Sequence, residues 1–351
     1  MVVVDEASMV DLPLMSKLVQ ALPRDSRLIL IGDRHQLASV QAGSVLGDIC
    51  GDKIDNGFSK VFARTLAPVV NCDPGQLTRP CQDKTGLQDS MVYFTRSYRF
   101  EKKSGISVLS RAVNQGAVDD VLDILRQGHY PELSWYPLSS HADHQNLLSK
   151  NIHEHYNRLC HADDPQETLE ELNRFRILCA VNQGDLGVDT INAKAAAILA
   201  GEKKNRIPGE FKSEWYHGRP ILITANEHNL GLFNGDVGIT MVLETAEDQT
   251  CHVYFQGGSA GALQRFSPSR LPRYQDVYAM TIHKSQGSEF DEVLLVLPEK
   301  DTPLITRELL YTGITRAKRK LSILASESVI RNAVSRRIKR ASGLRDALWR
   351  Y

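Results

Sequence analysis

The chain opens on Val2-Val3-Val4, three β-branched apolar residues that run straight into Asp5 and Glu6. An unbroken apolar run of this kind predicts a buried strand of the parallel type. Leu12–Ala21 follows with helical spacing, Leu14, Leu18 and Leu22 on one face, and Pro23 ends it. Arg27–Ile31 is a second apolar strand, and it too runs into a polar cluster, Gly32-Asp33-Arg34-His35-Gln36. A right-handed crossover between them makes the two strands parallel neighbours or near-neighbours. Gly51–Thr95 has few periodic apolar positions and predicts a surface excursion with weak helical pieces. Further helices are predicted at Ile106–Asn114, at Val118–Gln127 before Gly128, and at His144–Cys160, with a short strand at Trp135–Leu138. Asp163 to Glu171 is an acidic surface stretch. Phe175–Val181 is a buried strand that opens through a glycine loop into an alanine-rich helix, Thr190–Ala200.

From Arg206 to Phe266 the texture changes to short strands, Ile221–Thr224, Gly238–Leu243 and Cys251–Phe255, punctuated by glycine and asparagine. Asn234-Gly235 is a tight-turn signal. This pattern predicts a small antiparallel barrel inserted into an α/β domain. The α/β texture returns at Val277–Ile282 and continues through a strand at Val293–Leu297, a helix at Glu308–Ile314 and a strand at Leu321–Ala325. The tail Arg331–Arg350 is basic and loosely amphipathic, a solvated terminal helix or a nucleic-acid contact.

Composition narrows the classes. At 351 residues the chain has room for about two to three domains, and 42% hydrophobic with 24% charged residues is ordinary for a globular protein. Lys plus Arg equals Asp plus Glu, so no global charge drives it toward nucleic acid, although a local basic channel remains open. Six scattered cysteines without a C-x-x-C pair point to a reduced, cytoplasmic protein and away from a metal cluster. No stretch is apolar enough to span a bilayer, and the apolar start is broken too early for a signal peptide.

The candidate chemistry sits at strand ends. Carboxylates at the end of a parallel strand project into the crevice where α/β folds bind ligands. Asp5 and Glu6 suit a nucleotide-hydrolysing site, one holding Mg²⁺ through its waters and the other orienting the attacking water. They equally suit a solvated acidic turn. Gln36, at the next strand end, can reach a γ-phosphate or merely cap the sheet. Arg96 and Arg99, between aromatics, are a nucleotide clamp or an ordinary basic turn. A third cluster, Thr281-Ile-His283-Lys284-Ser285-Gln286, ends a strand before Gly287, which allows close backbone approach.

Taken together and in order, DEAS (Asp5–Ser8), GDRHQLASV (Gly32–Val40), SYRF (Ser97–Phe100), TIHKSQGSEF (Thr281–Phe290) and YTGITRAKRKL (Tyr311–Leu321) resemble the superfamily 1 helicases. HGRPILITANEHNLGLFNGDVGI (His217–Ile239) and ILCAVNQGDLGVDTIN (Ile177–Asn192) are similar to the RecD subunits of bacterial RecBCD helicase–nucleases (exodeoxyribonuclease V) in particular. The resemblance implies two RecA-like parallel-sheet domains, the first incomplete over 1–95, the second over 96–205 and 273–351, with a β-barrel for single-stranded DNA at 206–272. It implies ATP and Mg²⁺ as cofactors, with Asp5 as the metal ligand through water and Glu6 as the base. Gln36 becomes the γ-phosphate sensor, and Arg99 and Arg316 become arginines acting on the γ-phosphate. Gly32, Asp33, Gly287 and Glu289 lie by the nucleotide. Thr281, His283, Lys284 and Asn234 meet DNA. It further implies 5′-to-3′ movement on single-stranded DNA, action at DNA ends, and RecB- and RecC-type partners in recombinational repair.

One departure is plain. These ATPases use G-x-x-x-x-G-K-[ST] to grip phosphates, and the 351 residues contain no such run; Asp83-Lys84-Thr85-Gly86 has a Lys-Thr without the glycine pair. The family places that loop upstream of the acidic strand. The chain is therefore expected to be the carboxyl-terminal part of a RecD-type helicase, inactive alone as an ATPase. A stand-alone RecD-like helicase and an ATPase-inactive DNA-binding or assembly module are the competing readings.

Overall fold

The computed structural model describes residues 1–39, 43–51, 56–78, 87–94, 104–138, 141–200, 215–244, 249–257, 262–338 and 343–349. They form two compact units, Met1–Lys102 with Ile338–Tyr351, and Lys103–Arg337. The sequence pattern set the boundary near residue 95 and carried the basic tail with the second domain. Arg331–Arg337 stays with the second unit, whereas Ile338–Tyr351 groups with the first, where the Trp349 indole N–H donates to the Asp48 carbonyl at 2.9 Å.

In the first unit, β1 (Val2–Val4) and β2 (Leu28–Leu30) pair in parallel, Val2 opposite Leu28 and Val4 opposite Leu30. The expected parallel neighbours are present, but the valine run is not fully buried. Val3 and Ile29, opposite one another, are 51% and 43% exposed, so only one face of this ribbon is covered within the unit. Between the strands, α1 (Leu12–Ala21) starts where Asp11 accepts the Leu14 N–H at 2.7 Å. Its buried side runs through Met15 rather than Leu14, which is exposed; the covered stripe is rotated from the predicted face. The predicted excursion holds α2 (Val45–Cys50), α3 (Lys60–Val70) and α4 (Pro74–Leu77), followed by a helical turn at Leu87–Ser90. The regular α3 was hidden in the sequence by its internal Pro68. Its start is fixed by Ser59, whose hydroxyl accepts from Phe62 N–H while Asp89 accepts both the Ser59 N–H and its hydroxyl.

The second unit begins with α5 (Gly105–Gln115), α6 (Val118–Gln127), β3 (Leu133–Tyr136), α7 (His141–Tyr156), α8 (Pro165–Arg174), β4 (Phe175–Cys179) and α9 (Val188–Ala200). The inserted segment holds β5 (Pro220–Ile223), β6 (Val237–Glu244), β7 (Gln249–Gln256), β8 (Leu263–Phe266) and β9 (Tyr274–Asp276). The α/β part resumes with β10 (Ala279–Thr281), β11 (Phe290–Val296), α10 (Arg307–Ile314), β12 (Ala317–Leu324) and α11 (Glu327–Ser335). The main sheet runs β10-β4-β11-β12-β3, every neighbour parallel, the arrangement expected from its apolar runs. Helix α8 occupies the stretch read as merely acidic. Asp164 caps it by accepting from Glu167 N–H, and Pro165 opens its first turn.

The insert is a five-stranded antiparallel sheet, β8-β7-β6-β5-β9. Its two faces do different things. Ile221, Ile223, Val253 and Phe255 build a small core with Trp215 and Leu232. Ile239, Met241, Tyr254 and Leu263, on the other face, join the main core around α7, α8, α9 and β4. The insert is therefore packed into the second unit. Polar groups lock the same junction. The Tyr156 hydroxyl donates to the Tyr278 carbonyl, and the Tyr216 and Tyr278 hydroxyls meet at 2.5 Å. Burial pushes all three phenols upward, so they stay protonated. Asn192 of α9 accepts from Ala279 N–H and donates to the Asp276 and Ala279 carbonyls. Arg219 lies on the Trp215 ring and meets Asp276 at 2.7 Å; burial works against its charge, and Asp276 more than offsets it, holding the guanidinium above its ordinary range.

Gly218 marks the tightest point. Its φ is +77°, and a Cβ there would stand 2.4 Å from the Leu159 carbonyl oxygen. Gly218→Ala is expected to cost about 2 kcal/mol or more, from strain plus a backbone clash. Denaturant unfolding checks this, and a loss below about 0.5 kcal/mol would refute the rigid junction.

Candidate functional site

Two strand ends meet in the first unit. Asp5 and Glu6 follow β1, and Gly32 through Gln36 follow β2. The ladder continues past the strands, Ile31 N–H to the Val4 carbonyl and Ala7 N–H to the Ile31 carbonyl, both at 2.8 Å. Gly32 suits this approach, because a Cβ would lie 2.8 Å from Leu46 Cδ2 and 3.1 Å from the backbone nitrogens of both Ala7 and Ser8. Glu6 is held in left-handed backbone, φ 49° and ψ 40°, one of two such non-glycine residues among those described. Such a conformation costs about 1–3 kcal/mol and persists only where the surroundings impose it, a pattern that clusters at functional sites. Asp5 Oδ1 accepts the Glu6 N–H at 2.8 Å.

Asp33 organises the second strand end. Its Oδ1 accepts the His35 N–H at 2.9 Å, and its Oδ2 lies 3.4 Å from the Gln36 amide nitrogen. The Gln36 amide is thereby oriented, and its Oε1 is buried with no partner, as is the hydroxyl of Ser8, 6% exposed. An unpaired buried acceptor costs about 1–3 kcal/mol unless something else binds it. No group of three His, Cys, Asp or Glu side chains suited to a metal exists among the described residues. Two adjacent carboxylates with an orphan amide oxygen beside them instead fit a hydrated Mg²⁺ carried by phosphates, which takes one or two protein carboxylates and keeps its waters. Ser8, which closes the DEAS stretch, joins the candidate residues through its buried hydroxyl.

The second unit holds a separate cluster. β10 ends at Thr281, which is 7% exposed and whose hydroxyl accepts the Lys284 N–H at 3.2 Å. Ser285 is fully buried, its N–H donating to the Thr281 carbonyl and its hydroxyl to the Ile282 carbonyl. This one-turn knot leaves Lys284 exposed and His283 half-buried, with Gly287 at φ +78° and open space around it. Arg316 is 2% exposed; its guanidinium donates to the Ser288 carbonyl at 3.1 Å and to the Thr312 carbonyl at 3.3 Å. Gly287, Glu289 and Arg316 are thus gathered at one place, with Glu289 3.5 Å from the Lys318 ammonium. Arg316 fixes the Gly287–Glu289 loop from beneath. Asn234 belongs to another element, the exposed β5–β6 turn, where its N–H donates to Asn226 Oδ1 at 2.8 Å. Arg99 lies outside the described residues, as does the whole SYRF stretch.

Residues 276–324 match the family model described as UvrD-like helicase C-terminal domain, and residues 1–58 match an AAA domain. The chain is 35% identical over 362 residues to the RecBCD enzyme subunit RecD of Haemophilus influenzae, covering 97% of this chain and 53% of that protein. It is 37% identical to the RecBCD enzyme subunit RecD of Mycobacterium tuberculosis, covering 98% of this chain and 52% of the other. The ATP-dependent RecD2 DNA helicase of Deinococcus radiodurans matches at 26% identity over 96% of this chain and 38% of its own length. The chain spans about half the length of the curated RecD subunits it matches. By those matches the chain belongs to the family of the RecD subunits.

Proposed function

We propose that this chain supplies the metal-and-water half of an ATP site together with the second motor domain of a DNA helicase, working with RecB- and RecC-type partners at DNA ends in recombinational repair. The observation that carries it is the acidic rim of the first unit, where a strained Glu6 lies one strand over from an oriented Gln36 with a buried, unpaired oxygen. Bound Mg²⁺ and ATP supply the transferable phosphoryl group and neutralise part of its charge. Asp5 then holds the hydrated metal, Glu6 accepts the proton of the attacking water, and Gln36 positions that water. Arg316, buried and bonded to two carbonyls, sets the Gly287–Glu289 loop, and Arg99 is assigned the phosphate-facing role through the resemblance. Gly32 and Asp33 shape the β2 end. Opening and closing of two motor domains on one strand then gives stepwise movement, and the RecD resemblance assigns it the 5′-to-3′ direction.

Grip on DNA without sequence preference falls to Thr281, His283, Lys284 and Asn234. The purified chain is expected to bind single-stranded DNA with an affinity that falls linearly in log–log against salt. Lys284→Ala is expected to reduce that slope by about 0.7, one phosphate contact. Fluorescence anisotropy across a salt series measures both, and salt-independent or absent binding would sink the proposal. The absence of G-x-x-x-x-G-K-[ST] from these residues favours a second reading for the chain by itself, a DNA-binding and assembly module without ATPase activity. A RecD-like helicase acting without RecB and RecC differs only in partners, and co-purification with those subunits separates the two.

A further inference from the structure

The β5–β6 hairpin carries a feature that the proposed roles leave unused. Its loop is strongly tied down. Glu227 and Leu232 exchange backbone hydrogen bonds at 2.7 and 3.2 Å, and Gly235 N–H donates to the Ile223 carbonyl at 3.0 Å. Leu232 is 1% exposed and plugs the insert's own core. The next residue, Phe233, points the other way in solvent terms. It is 46% exposed, while its backbone N–H is held by Asp236 Oδ2 at 2.7 Å. An apolar ring is thus presented to water by a backbone that cannot easily retract it.

The surroundings of that ring narrow its ligand. Of the described residues in the second unit, the other exposed large apolar side chains are Tyr136 and Leu304, in other elements, so Phe233 heads no broad apolar patch. A protein or lipid surface would need one. The exposed residue placed against the ring is polar: His228 braces it at 5.7 Å with the planes 74° apart. Gly231 and Gly235 flank the ring with open space where a Cβ would stand, so the backbone leaves room for a flat ligand. A lone exposed aromatic face braced by an imidazole matches a group with apolar faces and polar edges.

We propose that Phe233 is a stacking platform for one unpaired base of single-stranded nucleic acid. This rests on the DNA-binding reading above and adds a base contact to what was otherwise phosphate grip. Stacking is sequence-tolerant because every base has a π-face, which suits a motor that must pass any sequence.

The test is single-strand binding by the full chain, with 2-aminopurine placed at successive positions of an oligothymidylate. The unaltered chain should quench one position more than its neighbours. Phe233→Ala should abolish that local quench and weaken binding about tenfold, with the salt slope unchanged because no charge is lost. Phe233→Trp should keep both the quench and the affinity. An abasic residue at the quenched position should weaken the unaltered chain but not Phe233→Ala. A matching thermal melt for the variants shows that an exposed side chain was removed without unfolding. Normal single-strand binding that is indifferent to Phe233→Ala overturns this inference and leaves the helicase reading standing. Absence of single-strand binding by the unaltered chain sinks both.

Discussion

The purified 351-residue chain is expected to release no more phosphate from ATP in the presence of single-stranded DNA than its Glu6→Gln variant does. Phosphoryl transfer is mostly positioning and charge neutralisation, so a site that cannot grip the β- and γ-phosphates has nothing to act on. The grip comes from a glycine-rich backbone cradle and its lysine, and no such run occurs in these residues. On the proposed reading the first unit holds the complement: Asp5, Glu6 in left-handed backbone, and Gln36 oriented by Asp33. Joining the chain to a segment that carries the phosphate loop is expected to restore DNA-stimulated turnover. Glu6→Gln should then lower it by about 10²- to 10⁴-fold, the usual contribution of a general base. Phosphate release with and without oligonucleotide measures each case. Turnover by the unaltered chain that DNA stimulates and Glu6→Gln abolishes would overturn the expectation.

Elements bounded by local chemistry were legible in the sequence. α1 was bounded by its apolar spacing and Pro23 and is capped by Asp11, α6 ends at Gly128 in left-handed backbone, and the main-sheet strands announced themselves as apolar runs. What depends on distant partners was not. Val2–Val4 looks identical whether one or both faces are covered, and only the structure shows Val3 exposed. The insert's alternation told of strands, but not that one face of its sheet would join the main core through Ile239 and Met241. α8 carries its start signals in the sequence, an aspartate cap followed by proline, but inside a stretch whose acidic composition reads equally as solvated surface. In the candidate site, residue type and strand-end position single out Glu6 and Gln36 as candidates. The left-handed conformation at Glu6 and the orphan oxygen of Gln36 are properties of the folded backbone that no residue pattern spells out.

Arg176 is expected to be the most costly side chain to truncate in the second unit, a point its place in an apolar run, FRILCAV, conceals. It is fully buried in β4. Its guanidinium donates to the Val277 carbonyl and, at 3.3 Å, to the Leu172 carbonyl, and it lies 5.1 Å from the centre of the Phe290 ring. Burial lowers its pKa, with the nearby Tyr156 working in the opposite sense, yet an arginine stays charged. The charge is therefore held by carbonyl dipoles and a π-face. Those contacts matter for the candidate site. Val277 is where the chain leaves the insert for β10 and Thr281, and Phe290 begins β11 just past Glu289. One side chain of β4 thus clamps the approaches to both ends of the Thr281–Glu289 loop. Arg176→Ala leaves a cavity and two carbonyls without their donor, and should cost about 3–5 kcal/mol. Arg176→Met refills the volume and removes the desolvated charge, so it should cost about 1–2 kcal/mol, from the unpaired carbonyls alone. Denaturant unfolding of the two variants separates the terms. Equal losses would mean that the hydrogen bonds carry the whole effect, and a loss under about 1 kcal/mol for Arg176→Ala would refute the clamp, because a mere spacer at a yielding site is the one role that truncation leaves nearly free.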